Sequence, residues 1–357
     1  MKLIHCSDVH LDSKMERNLT AAQARERSAE ICATFGRMVK FAVKNQVEAV
    51  LIAGDLFDTS RVSAQTADFV LDTIRSAEHV DFLYLRGNHD ESRDVFADRE
   101  LPANFRTFGN GWTSYRYGNV VITGLEPDRE NCECMYDSLA LNSEDTNIVM
   151  LHGQASSSPG QGQIALPLLK NKHIHYLALG HIHSFRLQQL DLDGVWCYCG
   201  CLEGRGFDER GEKGFVLLDA ADRRINAEFV PFAARTLEEV QVDITGLITV
   251  SQIQNAMETA SAEISADSLV KFTFVGEYTL ETQKDLRFLK KIFENRFWFV
   301  KIRDESRLKI DRASYEHDIS LKGEFIRMVM ASDRSDEEKE QIILCGIRAL
   351  NGEEVAL

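Results

Sequence analysis

No apolar run in this chain approaches the ~18 residues of a bilayer span, so a membrane-crossing helix is not expected. Cys-x-x-Cys spacing is missing too. Cys132/Cys134 and Cys197/Cys199/Cys201 alternate instead, which does not indicate a zinc knuckle. Alternate residues share one face of a strand, so the 197–201 trio can lie side by side. They read as small buried hydrophobes in a reducing compartment, or else as a metal site or disulfide. Positive charge is in deficit: 41 basic against 56 acidic residues leave −15. That argues against tight, nonspecific nucleic-acid binding by the whole surface. It leaves room for a nucleic-acid substrate held by metals and a local basic strip. Internal repeats and low-complexity segments are absent.

What is present is ordinary globular chemistry, 44% hydrophobic and 27% charged over 357 residues, enough for about two domains. The start, Met1-Lys2-Leu3-Ile4-His5-Cys6, turns polar too soon for a signal peptide and reads as a first strand. A cytoplasmic protein with no membrane partner is the expectation. Short β-like runs at Lys2–Cys6, Ala49–Ala53, Phe82–Leu85, Val120–Thr123, Ile148–Leu151 and Tyr176–Leu179 alternate with other segments. Helical periodicity covers Ala21–Lys44 and Ser63–Ala77. This predicts α/β architecture, a sheet layered with helices. Gly194–Tyr198, Gly214–Asp219 and Ile225–Pro231 read as antiparallel strands with glycine turns, predicting a two-sheet sandwich.

The character changes after Pro231. Glu238–Ile244 and Leu269–Val275 read as strands and Val250–Ile264 as a helix, so a smaller α+β domain is expected. The expected division is 1–233, 234–315 and 316–357. Residues 285–312 carry nine Lys/Arg against five Asp/Glu, interleaved with Phe288, Phe293, Phe297, Trp298 and Phe299. Such a strip contacts a phosphate backbone and bases, or it is a solvated charged face over an aromatic core. In the last segment Ser335 and Glu338 form a capping box. An apolar stripe of Ile342, Ile343, Ile347 and Leu350 follows, stopped by Gly352. Leu321, Phe325, Met328 and Val329 form a second stripe, which packs on the small domain or docks a partner helix.

Five short motifs dominate the first half: Asp8-Val9-His10, Gly54-Asp55, Gly87-Asn88-His89-Asp90, Leu151-His152-Gly153 and Gly180-His181-Ile182-His183. Nearly every one follows an apolar run, where a buried strand would end. In layered sheets, ligands collect at the carboxyl ends of strands. Singly these motifs are turns or core histidines; together, in order, they indicate a metal site. Carboxylate oxygens, imidazole nitrogens and one amide suit divalent ions such as manganese, iron or zinc. Two ions sharing a carboxylate clamp a phosphate ester and lower the pKa of a trapped water.

The ordered motifs resemble the calcineurin-like metallophosphoesterase superfamily over roughly residues 1–232. The resemblance implies a four-layer α/β/β/α sandwich and two divalent metal ions, manganese foremost, with iron, zinc or magnesium as other choices. By the same resemblance one ion is held by Asp8, His10, Asp55 and His183. The other is held by Asp55, Asn88, His152 and His181, with Asp55 bridging. His89 is the catalytic residue, a general acid or transition-state stabiliser. Asp58 and Asp90 orient ligands, although a plain turn residue is an equal reading of Asp58.

The spelling around His5–Leu11, Gly54–Asp58 and Ala178–His183, and the Glu203–Phe215 stretch, is similar to an SbcD-like DNA-repair nuclease branch. Within it the chain resembles a shorter YhaO-like group. That implies a DNA exonuclease or endonuclease, a homodimer, and an SbcC-like coiled-coil ATPase partner. The branch carries Pro-Gly-Ser where this chain has Cys199-Gly200-Cys201, and some members carry histidine at Asp58. The alternative is a phosphodiesterase or phosphatase acting on small or protein phosphoesters. However, phosphoprotein phosphatases follow Gly-Asp with Asp-Arg-Gly, whereas this chain reads Asp58-Thr59-Ser60-Arg61. Cyclic-nucleotide phosphodiesterases have His-His-Pro where this chain has Leu151-His152-Gly153.

Overall fold

The computed structural model describes residues 1–15, 19–58, 62–90, 95–96 and 98–350. Thr59–Arg61 and Gly352 lie outside the described residues, as does the Arg312 side chain. The chain divides into two compact units, Met1–Leu237 and Glu238–Leu357.

In the first unit the strands are, in chain order, β1 Lys2–Cys6, β2 Ala49–Ala53, β3 Asp81–Leu85, β4 Phe105–Thr107, β5 Thr113–Tyr117, β6 Val120–Gly124 and β7 Thr146–His152. They continue as β8 Gln154–Ser156, β9 Gln163–Ala165, β10 Tyr176–Gly180, β11 Arg186–Gln189, β12 Val195–Tyr198, β13 Gly214–Ala221 and β14 Arg224–Pro231. The helices are α1 Ala21–Lys44, α2 Ala64–Arg75, α3 Met135–Ser138 and α4 Leu166–Leu169. One six-stranded sheet runs β14-β13-β1-β2-β3-β4 and the other β11-β12-β10-β7-β6-β5.

Alternation places the layers. In β1, Leu3 joins the core between the sheets while Ile4 joins the core under α1 and α2. The inter-sheet core also takes Leu51, Leu83, Ile148 and Met150. The outer face of the second sheet packs Val149, Leu151, Leu177 and Leu179 against Met135, Tyr136 and Leu169 of its short helices. The result is the α/β/β/α sandwich. Helix α1 starts at a capping box in which Thr20 and Gln23 satisfy each other's backbone groups. Its buried Ile31, Phe35, Met38, Val39 and Ala42 keep the period that brings one face to the sheet. No helix among the described residues is long and apolar enough to cross a membrane.

One expectation changes. Val195–Tyr198 is antiparallel only to β11; it is parallel to β10. The exposed edge strand β11 and its tight turn reverse the chain before β12, so β12 runs with β10. The eight cysteines are free thiols, and Cys197, Cys199 and Cys201 are buried.

The second unit holds β15 Leu237–Asp243, α5 Val250–Ala260, β16 Leu269–Val275, β17 Glu277–Tyr278, α6 Leu286–Glu294, β18 Phe299–Asp304 and β19 Arg307–Leu308. Helices α7 Arg312–Tyr315, α8 Leu321–Met330 and α9 Asp336–Leu350 follow. Its sheet has the order β15-β16-β18. Phe293 and Phe297 are core residues packed with Phe272, and Phe299 is nearly buried. Of the five aromatics between residues 285 and 312, Phe288 alone is exposed. The charged face over an aromatic core is therefore the arrangement found, because the rings fill the apolar interior beside this small sheet. The Ser335–Glu338 capping box forms. Helix α8 buries Ile326 and Val329, leaving Leu321 and Met328 each 67% exposed, so the expected stripe is split.

Candidate metal centre

Strands β1, β2 and β3 are parallel neighbours in one sheet, as are β7 and β10 in the other. Parallel strands end on one rim, so all five motifs are delivered to the same edge. Backbone bonds then fix the loops: Asp8 N donates to Gly54 O at 3.0 Å and His10 N to Asp55 O at 3.1 Å. Four site residues sit at positive φ: Asp8 at 51°, His10 at 50°, Asp55 at 51° and His181 at 101°. Each costs of order 1–3 kcal/mol and is kept only where the surroundings over-determine it. Gly87 permits a close approach, since a Cβ there would lie 2.1 Å from Asp55 Oδ1.

The hydrogen-bond partners reveal which ring nitrogens are lone pairs. His152 Nδ1 lies 2.9 Å from the Ala53 carbonyl oxygen, which only accepts, so Nδ1 carries the proton. Its Nε2 therefore turns a lone pair toward Asn88 Oδ1 at 3.0 Å and Asp55 Oδ2 at 3.5 Å. His181 Nδ1 reaches the same Asn88 oxygen at 3.0 Å. On the other side, His183 Nδ1 donates to Glu209 Oε1 at 2.7 Å. Its Nε2 faces His10 Nε2 at 3.2 Å and Asp8 Oδ1 at 3.5 Å. Around His152 a ring lone pair thus meets acceptor oxygens of Asn88 and Asp55, an arrangement that repels itself until positive charge is placed between them. Ligand atoms of Asp8, His10 and His183 all lie within 4.8 Å of one another, and so do those of Asp8, Asp55 and His152. The donor set fits divalent cations.

Titration separates His183 from the other rings. Burial holds His10 below the usual histidine range, and burial with the neighbouring His152 does the same for His181, leaving neutral rings. Burial would raise Asp8, but His183, His152 and the Ser7 hydroxyl hold it far below the carboxylate range. Burial opposes charge on His183 as well, yet the Asp8 and Glu209 carboxylates lift it to about 9. A cation held beside Asp8 would have to displace that proton.

Sequence reasoning named Asp58 and Asp90, and both touch the site differently. Asp58 Oδ1 lies 3.2 Å from His10 Nδ1, so it backs a ring of the centre rather than merely closing a turn. Asp90 touches no ring of the centre. Its carboxylate accepts from the backbone N–H of Leu56, Phe57 and Gly87 at 3.1–3.3 Å and so stitches the Asp55 loop to the Asn88 loop. Burial and the Asp55 charge push Asp90 up to about 6. His89 is exposed, with its backbone N–H on Asp55 Oδ1 at 2.9 Å and its Nδ1 on the Asp58 carbonyl at 2.9 Å.

Arg205 and Glu209 were missed as site residues. Arg205 pairs with Asp58, and it holds Glu209 Oε1 at 3.0 Å through its guanidinium and Oε2 at 2.7 Å through its backbone N–H. The available signal was an Arg/Glu pair four residues apart inside a glycine-rich stretch, where fixed charge has no helix or strand to decorate. Beside Asn88, His152 and His181 opens a cavity of 630 Å³ whose wall includes Arg86, Glu126 and Arg129. The Arg86 backbone N–H and Nε both donate to the Glu126 carboxylate, at 2.9 and 2.8 Å.

Residues 1–185 match the calcineurin-like phosphoesterase family. Among curated proteins, the uncharacterised metallophosphoesterase YhaO of Bacillus subtilis is 26% identical over 261 residues, covering 69% of this chain and 64% of that one. DNA double-strand break repair protein Mre11 of Sulfurisphaera tokodaii is 24% identical over 237 residues, 61% of this chain and 59% of that one. The protein of the same name from Archaeoglobus fulgidus is 22% identical over 384 residues, covering 96% and 83%. Matches to the first two span less than two thirds of those proteins' lengths.

Proposed function

Because the chain belongs to the calcineurin-like phosphoesterase family, we propose that it is a two-metal phosphodiesterase acting on DNA, an exonuclease or endonuclease of double-strand break repair. Asp8, His10, Asp55 and His183 hold one divalent ion; Asp55, Asn88, His152 and His181 hold the other. Manganese is the working metal. When bound, the pair supplies Lewis acidity that activates a water for attack on phosphorus and offsets phosphate charge. The observation that carries this reading is the convergence of imidazole nitrogens and carboxylate oxygens of Asp8, His10 and His183 at one point and of Asp8, Asp55 and His152 at the adjoining one.

The chain's own groups do the rest. His89 donates an Nδ1–H hydrogen bond to the Asp58 carbonyl, so in the imidazolium form its Nε2–H is the proton available to the departing oxygen. Its backbone tie to Asp55 keeps it beside the reacting phosphate. Arg86 and Arg205 are each committed to carboxylates. DNA as the substrate class rests on the relatives named for double-strand break repair. An SbcC-like coiled-coil ATPase is the proposed partner, with exposed Leu321 and Met328 of α8 as apolar anchors. A homodimer in the cytoplasm completes the reading.

One assay in Mn²⁺ tests it, offering linear duplex DNA, bis(p-nitrophenyl) phosphate and p-nitrophenyl phosphate side by side. DNA and the diester should be cleaved. Hydrolysis of the monoester alone overturns the reading in favour of a phosphatase for small or protein phosphoesters, which the 630 Å³ cavity beside Asn88 would admit. Purification from the native host tests the ATPase partner.

A further inference from the structure

The two halves of the centre are not supported alike. On the half built from His10 and His183, both rings are backed by carboxylates: Asp58 lies 3.2 Å from His10 Nδ1 and Glu209 accepts from His183 Nδ1 at 2.7 Å. On the half built from His152 and His181, His152 is backed by the Ala53 carbonyl. Among the described residues neither of these two rings has a carboxylate behind its far nitrogen.

Arg205 is the link between the two backing carboxylates. Its Nη1 pairs with Asp58, while its Nη2 and Nε reach Glu209 Oε1 at 3.0 and 3.2 Å. A planar guanidinium holds two carboxylates at fixed directions, which an ammonium does not. The loop itself is anchored next door, where buried Glu203 accepts from Thr34 Oγ1 at 2.6 Å and from Arg27 at 3.1 Å. Arg205 thus bears on both imidazoles of one position and on neither imidazole of the other.

We propose that Arg205 is a positioning residue that sets cation affinity at the Asp8/His10/His183 position alone, making the two metal positions unequal. The inference rests on the two-metal reading above. Groups behind a ligand ring typically govern about 10–100-fold in metal affinity.

The test is calorimetric titration of the cation-free protein with Mn²⁺, for the natural chain and for Arg205→Ala and Arg205→Lys. The natural chain should bind two ions. Arg205→Ala should weaken one of them by about 10–100-fold and leave the other unchanged, with Arg205→Lys in between. At saturating Mn²⁺, kcat on bis(p-nitrophenyl) phosphate should return while the Mn²⁺ requirement stays raised. Equal weakening of both ions, or of neither, overturns the inference and leaves the two-metal reading standing. A natural chain that binds no Mn²⁺ overturns both. Should the alanine variant not fold, the lysine variant, which keeps the charge but not the fork, decides between the same outcomes.

Discussion

The Arg27 guanidinium donates to the Glu203 carboxylate at 3.1 Å with neither side chain exposed to solvent. It joins the second turn of α1 to the loop that carries Arg205 and Glu209. Glu203 also accepts from Thr34 and from the Ala234 backbone, and Arg27 donates to the Gly204 carbonyl at 2.9 Å. Removing one member leaves the other charge buried, at about 3–5 kcal/mol. Glu203→Ala should fall at the low end, because Arg27 keeps its pairing with Glu30. Urea denaturation of the cation-free protein measures it; a loss under about 1 kcal/mol, the level of an exposed pair, would refute a structural role.

Acid sensitivity is expected from His5. It lies buried in β1, with Nδ1 2.9 Å from the Tyr176 hydroxyl and Nε2 unsatisfied among the described residues. Burial drops it from 6.5 to about 3, against the smaller opposing pull of Asp8. Below pH 6.5 the unfolded chain takes up a proton that the folded chain refuses until near pH 3. Stability is therefore lost as pH falls through that window, by up to about 1.4 kcal/mol per pH unit. His5→Phe should flatten the slope of unfolding free energy between pH 6.5 and 4. Parallel slopes for the two proteins would contradict the assignment.

Much of this was legible in the sequence, for identifiable reasons. Lys2–Cys6, Ala49–Ala53 and Leu269–Val275 are found as read, because a short apolar run bounded by polar residues has little else to be. The motif residues fall on one rim because parallel strands must end together. Their support did not show. Glu209 reaches His183 across a loop and leaves no periodic trace; Asp90 was read with its motif, but not the backbone N–H groups on which it acts. Edge strand β11 was also hidden, being exposed at every residue and lacking the apolar alternation that marks a half-buried strand. Tertiary context likewise split the α8 stripe: Ile326, not Met328, faces α9.

Gly54 has φ of +93°, and a Cβ there would lie 2.1 Å from His152 Nδ1. Gly54→Ala must therefore strain the backbone, at about 1–3 kcal/mol, or push His152 off the Ala53 carbonyl. Losing that bond frees the ring to adopt the other tautomer, whose Nε2 would be a donor. The expected outcome is a lower melting temperature together with weaker Mn²⁺ binding. Unchanged Mn²⁺ affinity in a folded variant would show that His152 orientation does not matter.

His89 and Asp55 make the sharpest contrast, because one backbone bond joins them while their side chains do different things. Asp55 Oδ1 receives the His89 N–H and Oδ2 faces His152, so its charge lies where positive charge is needed. His89 is exposed and spends Nδ1 on the Asp58 carbonyl, and its backbone bond survives any change of side chain. Asp55→Asn removes a negative charge from between the two positions and should abolish both Mn²⁺ binding and turnover. His89→Asn should bind Mn²⁺ as before and lose turnover by about 10²–10⁴, the usual worth of a general acid. Leaving groups that need no proton separate the roles. On bis(p-nitrophenyl) phosphate, whose nitrophenolate departs unprotonated, His89→Asn should be impaired far less than on DNA. Equal losses on the two substrates would mean that His89 stabilises charge on phosphorus rather than delivering a proton.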